Sequence, residues 1–242
     1  MYALTAVAVV AIVLGLIVLW LLLRPPVWLM RRITMAPAQV IFESPNAGRV
    51  VALTIDDGPD PSATPGLLAA LREHDAHATF FPWATTAEKH GELLKKIVAE
   101  GHELGNHLLE DNHCWELPLE KFTHDLRAAD RILRVGGPVR WFRPPGGMAT
   151  SAQYREIQGW GYRSALASVY PYDHSHAWAN FSAAFVLWNV RPGGIIVLHD
   201  GPRRGLRTVR VLRRILPKLK QRGYRVVTLS ALMAAAEESS NA

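Results

Sequence analysis

The pattern of apolar and polar positions divides the chain into two unequal parts. From Ala3 to Leu23 no residue is charged, a run of 21. As a helix it would extend about 30 Å, the thickness of a hydrocarbon core. "RPPVWLMRR" (24–32) closes it with two prolines, Trp28 and three arginines. Beyond residue 47 short apolar or β-branched runs take over: 49–56, 77–83, 139–145, 163–169, 193–200 and 224–230. Amphipathic stretches separate them at 64–74, 85–100, 117–134, 151–160, 179–190 and 204–222. Such alternation predicts parallel strands joined by crossover helices, in a barrel or a doubly wound sheet. There is no internal repeat and no linker to a second domain. The expected organisation is a transmembrane anchor over 1–23, a juxtamembrane linker over 24–47 and an α/β domain over 48–242.

A cleaved signal peptide is the alternative for the first segment. The run is long for one, no Lys or Arg precedes it, and Ala36-Pro37-Ala38 lies too far beyond it to serve as its cleavage site. A single-pass anchor is therefore expected. Its only basic flank follows the span, which by charge alone would keep the domain in the cytoplasm. The single Cys114 excludes an internal disulfide, so packing must hold the fold. The net charge of +6 lies entirely after the anchor, and ten basic residues with no acid fall between Arg203 and Arg225. Leu206, Val209, Leu212, Ile215, Leu216 and Leu219 keep helical spacing there. The segment reads as an amphipathic helix, kinked at Pro217, whose basic face is either merely solvated or contacts an anionic lipid or polymer. No nucleic-acid motif accompanies the charge, and no nucleic-acid partner is expected.

Chemistry-bearing residues gather at the ends of predicted strands. The first strand ends in Asp56-Asp57-Gly58-Pro59, another in Arg143-Pro144-Pro145-Gly146-Gly147, a third in Leu198-His199-Asp200. Barrel enzymes place their reactive groups at strand C-termini. "GHELGNHLLEDNHC" (101–114) adds three histidines and three acids. It does not fit the helical zinc-protease signature, because His102 and His107 are five residues apart and diverge by about 140° on a helix.

Together these segments resemble the polysaccharide deacetylases, carbohydrate esterase family 4. "TIDDGPDPSATPGLL", "GHELGNHLLED", "FRPPGG" and "IIVLHD" are similar in order and spacing to the family's first, second, third and fifth motifs, and the likeness covers about residues 48 to 232. It implies a distorted (β/α) barrel, a divalent metal and hydrolysis of the N-acetyl group of an amino sugar. Residue by residue, Asp56 corresponds to the catalytic base and Asp57 to a metal ligand. Adjacent carboxylates on a strand point to opposite sides unless a turn intervenes, which suits two different tasks. His107 corresponds to the first metal histidine. Four residues on, where the family has a second, stands Asp111, a competent oxygen ligand that a helical turn would bring to the same face. His113 is the rival third ligand and would need an irregular backbone. His102 fits neither arrangement and reads as a surface or strand-end residue.

The resemblance also implies that Arg143 holds Asp56, for which a bidentate grip is the natural geometry. Gly146, in place of an aromatic residue, would offer its backbone N–H to the oxyanion. Leu198 would wall the acetyl pocket, and His199 would be the general acid. In "SVYPYDHSH" Asp173 takes the position of the aspartate that orients His199, while His174 replaces a tryptophan. The implied reaction is metal-assisted deacetylation of a chitin- or peptidoglycan-type glycan, with zinc expected and cobalt, manganese or nickel admissible. Such substrates place the domain outside the cytoplasm, against the charge flank. Two rival readings are a glycan-binding pseudo-enzyme and a deacetylase of lipid-linked or small N-acetylated substrates. Acetate release separates the first, and a comparison of acceptors the second.

Overall fold

The computed structural model describes residues 2–173 and 178–240. Helix α1 (Tyr2–Leu23) stops at Pro25 and Pro26, and helix α2 (Val27–Ile33) follows. Among the described residues no single helix is long and apolar enough to cross a membrane. Val9–Leu23 and Val27–Ile33, bent by 83°, reach that length and composition only as a pair. Then come β1 (Val50–Asp57), α3 (Thr64–Glu73), β2 (Ala78–Pro82), α4 (Ala84–Lys89), α5 (Gly91–Ala99) and β3 (Glu103–Asn106). They are followed by α6 (Leu119–Leu133), β4 (Trp141–Phe142), α7 (Ser151–Gly159), β5 (Arg163–Ser164), α8 (Ala179–Asn189), β6 (Ile195–His199), α9 (Arg204–Gln221), β7 (Arg225–Val227) and α10 (Leu229–Ser240).

All strand pairs are parallel, in the order β5-β4-β3-β2-β1-β6, with β7 beside the start of β1. The sheet curls into a half-barrel. Isolated bridges line the seam: Ile41 to Ala165, Val169 to Ile196 and Glu43 to Gly194. Period-two alternation sorts β1 between two cores. Val51, Leu53 and Ile55 face the surrounding helices, and Val50 and Ala52 face the barrel interior with Phe81, Trp141 and Ile195. Leu229 and Leu232 of α10 join that interior cluster. Helix α6 shows why the outer layer forms. Phe122, Leu126, Ala129 and Leu133 are buried on one face, while Glu120, Arg127 and Arg131 stay on the other.

Two expectations change. The segment 24–47 is not a free linker: Ala36, Val40 and Phe42 are buried. Arg31 lies over Phe42 and donates to the carbonyls of Pro37 (2.6 Å) and Val40 (2.9 Å). The predicted helix 85–100 is two helices meeting at His90. Helix α9 spans the expected basic segment with Pro217 inside it.

Candidate active site

The same alternation that builds the interior core delivers the site. Above Ala52 on the inward face of β1 stand Thr54 and Asp56, both buried. Asp56 is in register with His199 on β6, so these neighbours share a face. Asp57 comes next and would point away in a regular strand. Its φ of +81° turns the backbone into the left-handed region, and both carboxylates line one cleft. A non-glycine residue held there marks local strain kept by its surroundings. The Asp57 carbonyl is fixed by the Trp83 N–H (3.0 Å).

Arg143, one residue beyond β4, is buried and reaches across the barrel. Its Nη1 donates to Asp56 Oδ1 (2.7 Å) and Thr54 Oγ1 (2.6 Å), and its Nε to the Ala165 carbonyl (3.1 Å). The expected bidentate grip is thus a single charge-assisted contact. The fork is divided among three acceptors, and Nη2 has no partner among the described residues. Phe81 lies under the guanidinium at 4.5 Å.

His107 follows β3 directly. Its Nδ1 lies 2.7 Å from the Arg143 carbonyl, which can only accept, so Nδ1 carries the proton and Nε2 keeps its lone pair. Nε2 faces Asp57 Oδ1 at 3.9 Å. Trp83 stacks on the imidazole at 4.4 Å. Burial holds the His107 pKa below the ordinary value, which keeps the ring neutral and able to ligate. Burial also pushes Asp57 up to about 7, with Asp56 adding to the rise and His199 and Arg204 opposing it. A carboxylate and a neutral imidazole oriented toward each other fit a divalent cation. Among the described residues no group of three His, Cys, Asp or Glu side chains is close enough to hold one.

Residues 107–111 form no helical turn, because Leu108 has φ +63° and the chain then bends irregularly. The helical argument for Asp111 therefore fails, although Asp111 still lines the cleft with Asp57. His113 lines the cleft too, stacked on Trp115 at 4.4 Å. That stack explains Gly146. With φ +71°, a Cβ there would come 2.6 Å from Trp115 and 2.7 Å from His113. The space beside Gly146 is filled from the 113–115 loop. Gln153, in the capping box of α7, pins that loop by donating to the carbonyls of Cys114 (2.7 Å) and Leu117 (3.1 Å).

On the opposite side Asp173 receives the His199 backbone N–H (2.8 Å) and stands 3.0 Å from Nδ1. The carboxylate can only accept, so Nδ1 donates and Nε2 is the other ring nitrogen. Burial alone would lower the His199 pKa. Asp173, Asp56 and Asp57 outweigh it and raise the group to about 9. His174 lies outside the described residues. Leu198 is corrected: it belongs to the outer core, and Val197 lines the cleft, because inward positions of β6 are odd-numbered. His102 stands at a strand end, directly before β3, and is buried rather than on the surface. Sequence reasoning missed Trp83 and Tyr170, cleft-lining aromatics at strand ends, and Arg204, whose Nη1 donates to Asp57 Oδ2 (2.8 Å). Only the sheet alternation pointed to Val197 beforehand.

The sequence model of the polysaccharide deacetylases matches residues 43–165. A peptidoglycan-N-acetylglucosamine deacetylase of Bacillus cereus is 36% identical over 198 residues, covering 80% of this chain and 92% of its own. The chain belongs to the polysaccharide deacetylase family. It is thus an amide hydrolase acting on carbon–nitrogen bonds other than peptide bonds, in a family that depends on metal. A peptidoglycan N-acetylglucosamine deacetylase solved with 4-naphthalen-1-yl-N-oxidanyl-benzamide superposes with a TM-score of 0.76. Identity is 31%, with 80% of this chain and 92% of that one covered. A family 4 pseudoenzyme from Bacillus anthracis matches at TM-score 0.74 and 25% identity, covering 81% and 69%.

Proposed function

We propose that this chain hydrolyses the N-acetyl group of an amino sugar in a glycan of the peptidoglycan or chitooligosaccharide type, releasing acetate and a free amine. The observation that carries this reading is the convergence of three pairs at one cleft: Asp56 held by Arg143, Asp57 with His107, and His199 backed by Asp173. Asp57 and His107 are the residues that would hold a divalent ion, zinc by expectation, with Asp111 or His113 as the candidate third donor. When bound, such an ion supplies Lewis acidity at the acetyl carbonyl and acidifies water.

The chain's own residues divide the proton work. Asp56, oriented by Arg143, accepts a proton from the attacking water, whose oxygen bonds to the acetyl carbon. The carbon–nitrogen bond then breaks, and His199 delivers its proton to the departing nitrogen. The charge of Asp173 keeps that proton on His199 at neutral pH. The Gly146 backbone lines the cleft and is the candidate oxyanion donor. The uncharged N-terminal run supports a membrane-attached protein. An extracytoplasmic glycan would require the domain outside, and protease accessibility in intact cells tests that side.

A pseudoenzyme neighbour makes catalysis itself the point to measure. Acetate release from N-acetylglucosamine oligomers with added zinc or cobalt is expected for the wild type. Asp56→Asn should retain metal and lose about 10²–10⁴-fold in rate. Absence of acetate with every metal would refute the reading, and loss of metal in Asp56→Asn would exchange the roles of Asp56 and Asp57.

A further inference from the structure

The cleft that holds Asp56, Asp57 and His199 does not end at the sugar-sized site. It has a volume of about 750 Å³ and continues along Val18, Leu21 and Leu22 of α1 and Leu29, Met30 and Ile33 of α2. The spacing 18, 21, 22 places those α1 residues on one helix face. The side chains of that wall offer a hydrated sugar no hydrogen bond, whereas they match an apolar chain attached to one. Tyr172 donates to the Leu22 carbonyl (3.1 Å), and Val27 and Met30 pack on the domain's core, so the wall is joined to the site.

The surface where α1 ends has the same character. Trp28 and, on α8, Phe181 and Trp188 are large and exposed, with Trp178 just before that helix 83% exposed. Helix α8 carries apolar residues on its outward as well as its inward side, which suits a helix lying against lipid better than one in water. Arg24, at the end of the uncharged run, lies over Trp188 at 5.9 Å. Tryptophan and arginine at the end of an apolar helix are the composition of a bilayer interface. These residues place the α1–α2 junction, whose neighbouring apolar side chains wall the cleft, at that interface.

We infer that the substrate is an N-acetylated amino sugar carried on a lipid. The sugar would sit among Asp56, Asp57 and His199, and the acyl or isoprenoid chain along the α1–α2 wall. This rests on the deacetylase reading and names the substrate class for the same site. The chemistry is unchanged: water adds to the acetyl carbon, acetate leaves, and the amine stays on the lipid-borne sugar.

The test uses the full chain in nanodiscs with zinc or cobalt. The substrates are methyl, butyl, hexyl and octyl glycosides of N-acetylglucosamine at measured free concentrations, and its water-soluble tetramer. Each methylene that leaves water is worth about fourfold in kcat/KM, so two buried methylenes make octyl at least roughly tenfold better than methyl. Leu29→Asn with Ile33→Asn should bring that ratio toward one. The wild-type series stands without the variant if the variant does not fold. Equal kcat/KM along the series, or a tetramer at least about tenfold better than octyl, would overturn the lipid assignment and leave the deacetylase reading intact. Acetate from none of the substrates would overturn both.

Discussion

His102 offers a stability test that does not depend on substrate. The ring is 7% exposed, 5.4 Å from Phe80 and 5.6 Å from His77. Its Nδ1 accepts the Ala78 N–H at 3.3 Å, which requires the neutral ring. Burial, with His77 beside it, lowers the pKa from 6.5 to about 4. An unfolded chain binds this proton near pH 6.5 and the folded chain only near 4. The folded state therefore loses stability as pH falls through that window and loses none from this group above it. The gap corresponds to about 3 kcal/mol at most, of which about 2.5 kcal/mol should be lost by pH 4.5. Other carboxylates and histidines titrate over the same range, so the comparison must be with a variant. Asn places an oxygen near the position of Nδ1 and cannot be charged. His102→Asn should cost about 1 kcal/mol at pH 7.5 through lost packing on Phe80. By pH 4.5 it should be the more stable protein, the difference between the two having moved by about 2–3 kcal/mol. Urea unfolding of both proteins at the two pH values measures this. A wild type-to-variant gap that is the same at both, within about 0.5 kcal/mol, would refute the argument.

Gly193→Ala should destabilise by about 3 kcal/mol or more. Its φ is +74° and a Cβ would lie 1.9 Å from the Ser44 carbonyl, which is backbone; thermal unfolding reads the loss. Asp173→Asn should keep metal content and lower kcat by about 10²-fold, because His199 loses the charge that holds its proton. Unchanged kcat would remove Asp173 from the machinery. Metal content of Asp111→Ala and His113→Ala, measured side by side, assigns the third donor: the variant that loses metal names it. Asp111→His should restore metal to that position if Asp111 is the ligand.

Much of the layout was legible because it follows from local pattern. The six predicted strands survive as β1, β2 and β4–β7, all but β1 shortened, and the strand-end placement of Asp56, Arg143 and His199 holds. β3 was hidden because "ELGN" is short and Gly-containing, and α10 because its Ala-rich sequence has little amphipathic contrast. Leu198 was misplaced although the information was present, since alternation along 195–199 assigns Val197 and His199 to one face and Leu198 to the other.

Other features could be decided only in three dimensions. The φ of Asp57 turns a neighbouring carboxylate into the same cleft, and it is sustained by contacts such as Trp83 N–H to its carbonyl. Arg143 divides its donors among Asp56, Thr54 and Ala165, partners 87, 89 and 22 residues away in sequence. Trp115 and His113 fill the space at Gly146 because residues 107–113 fold back irregularly rather than as a helix. Residues 24–47 pack as part of the domain, and α1 and α2 wall the cleft, a contact no linear pattern contains. The sequence by itself determined which residues could do chemistry and at which strand ends they stand, because period and spacing are local properties. Tertiary structure decided which of them meet, because that depends on the curl of the sheet and on loops whose path is set by distant partners.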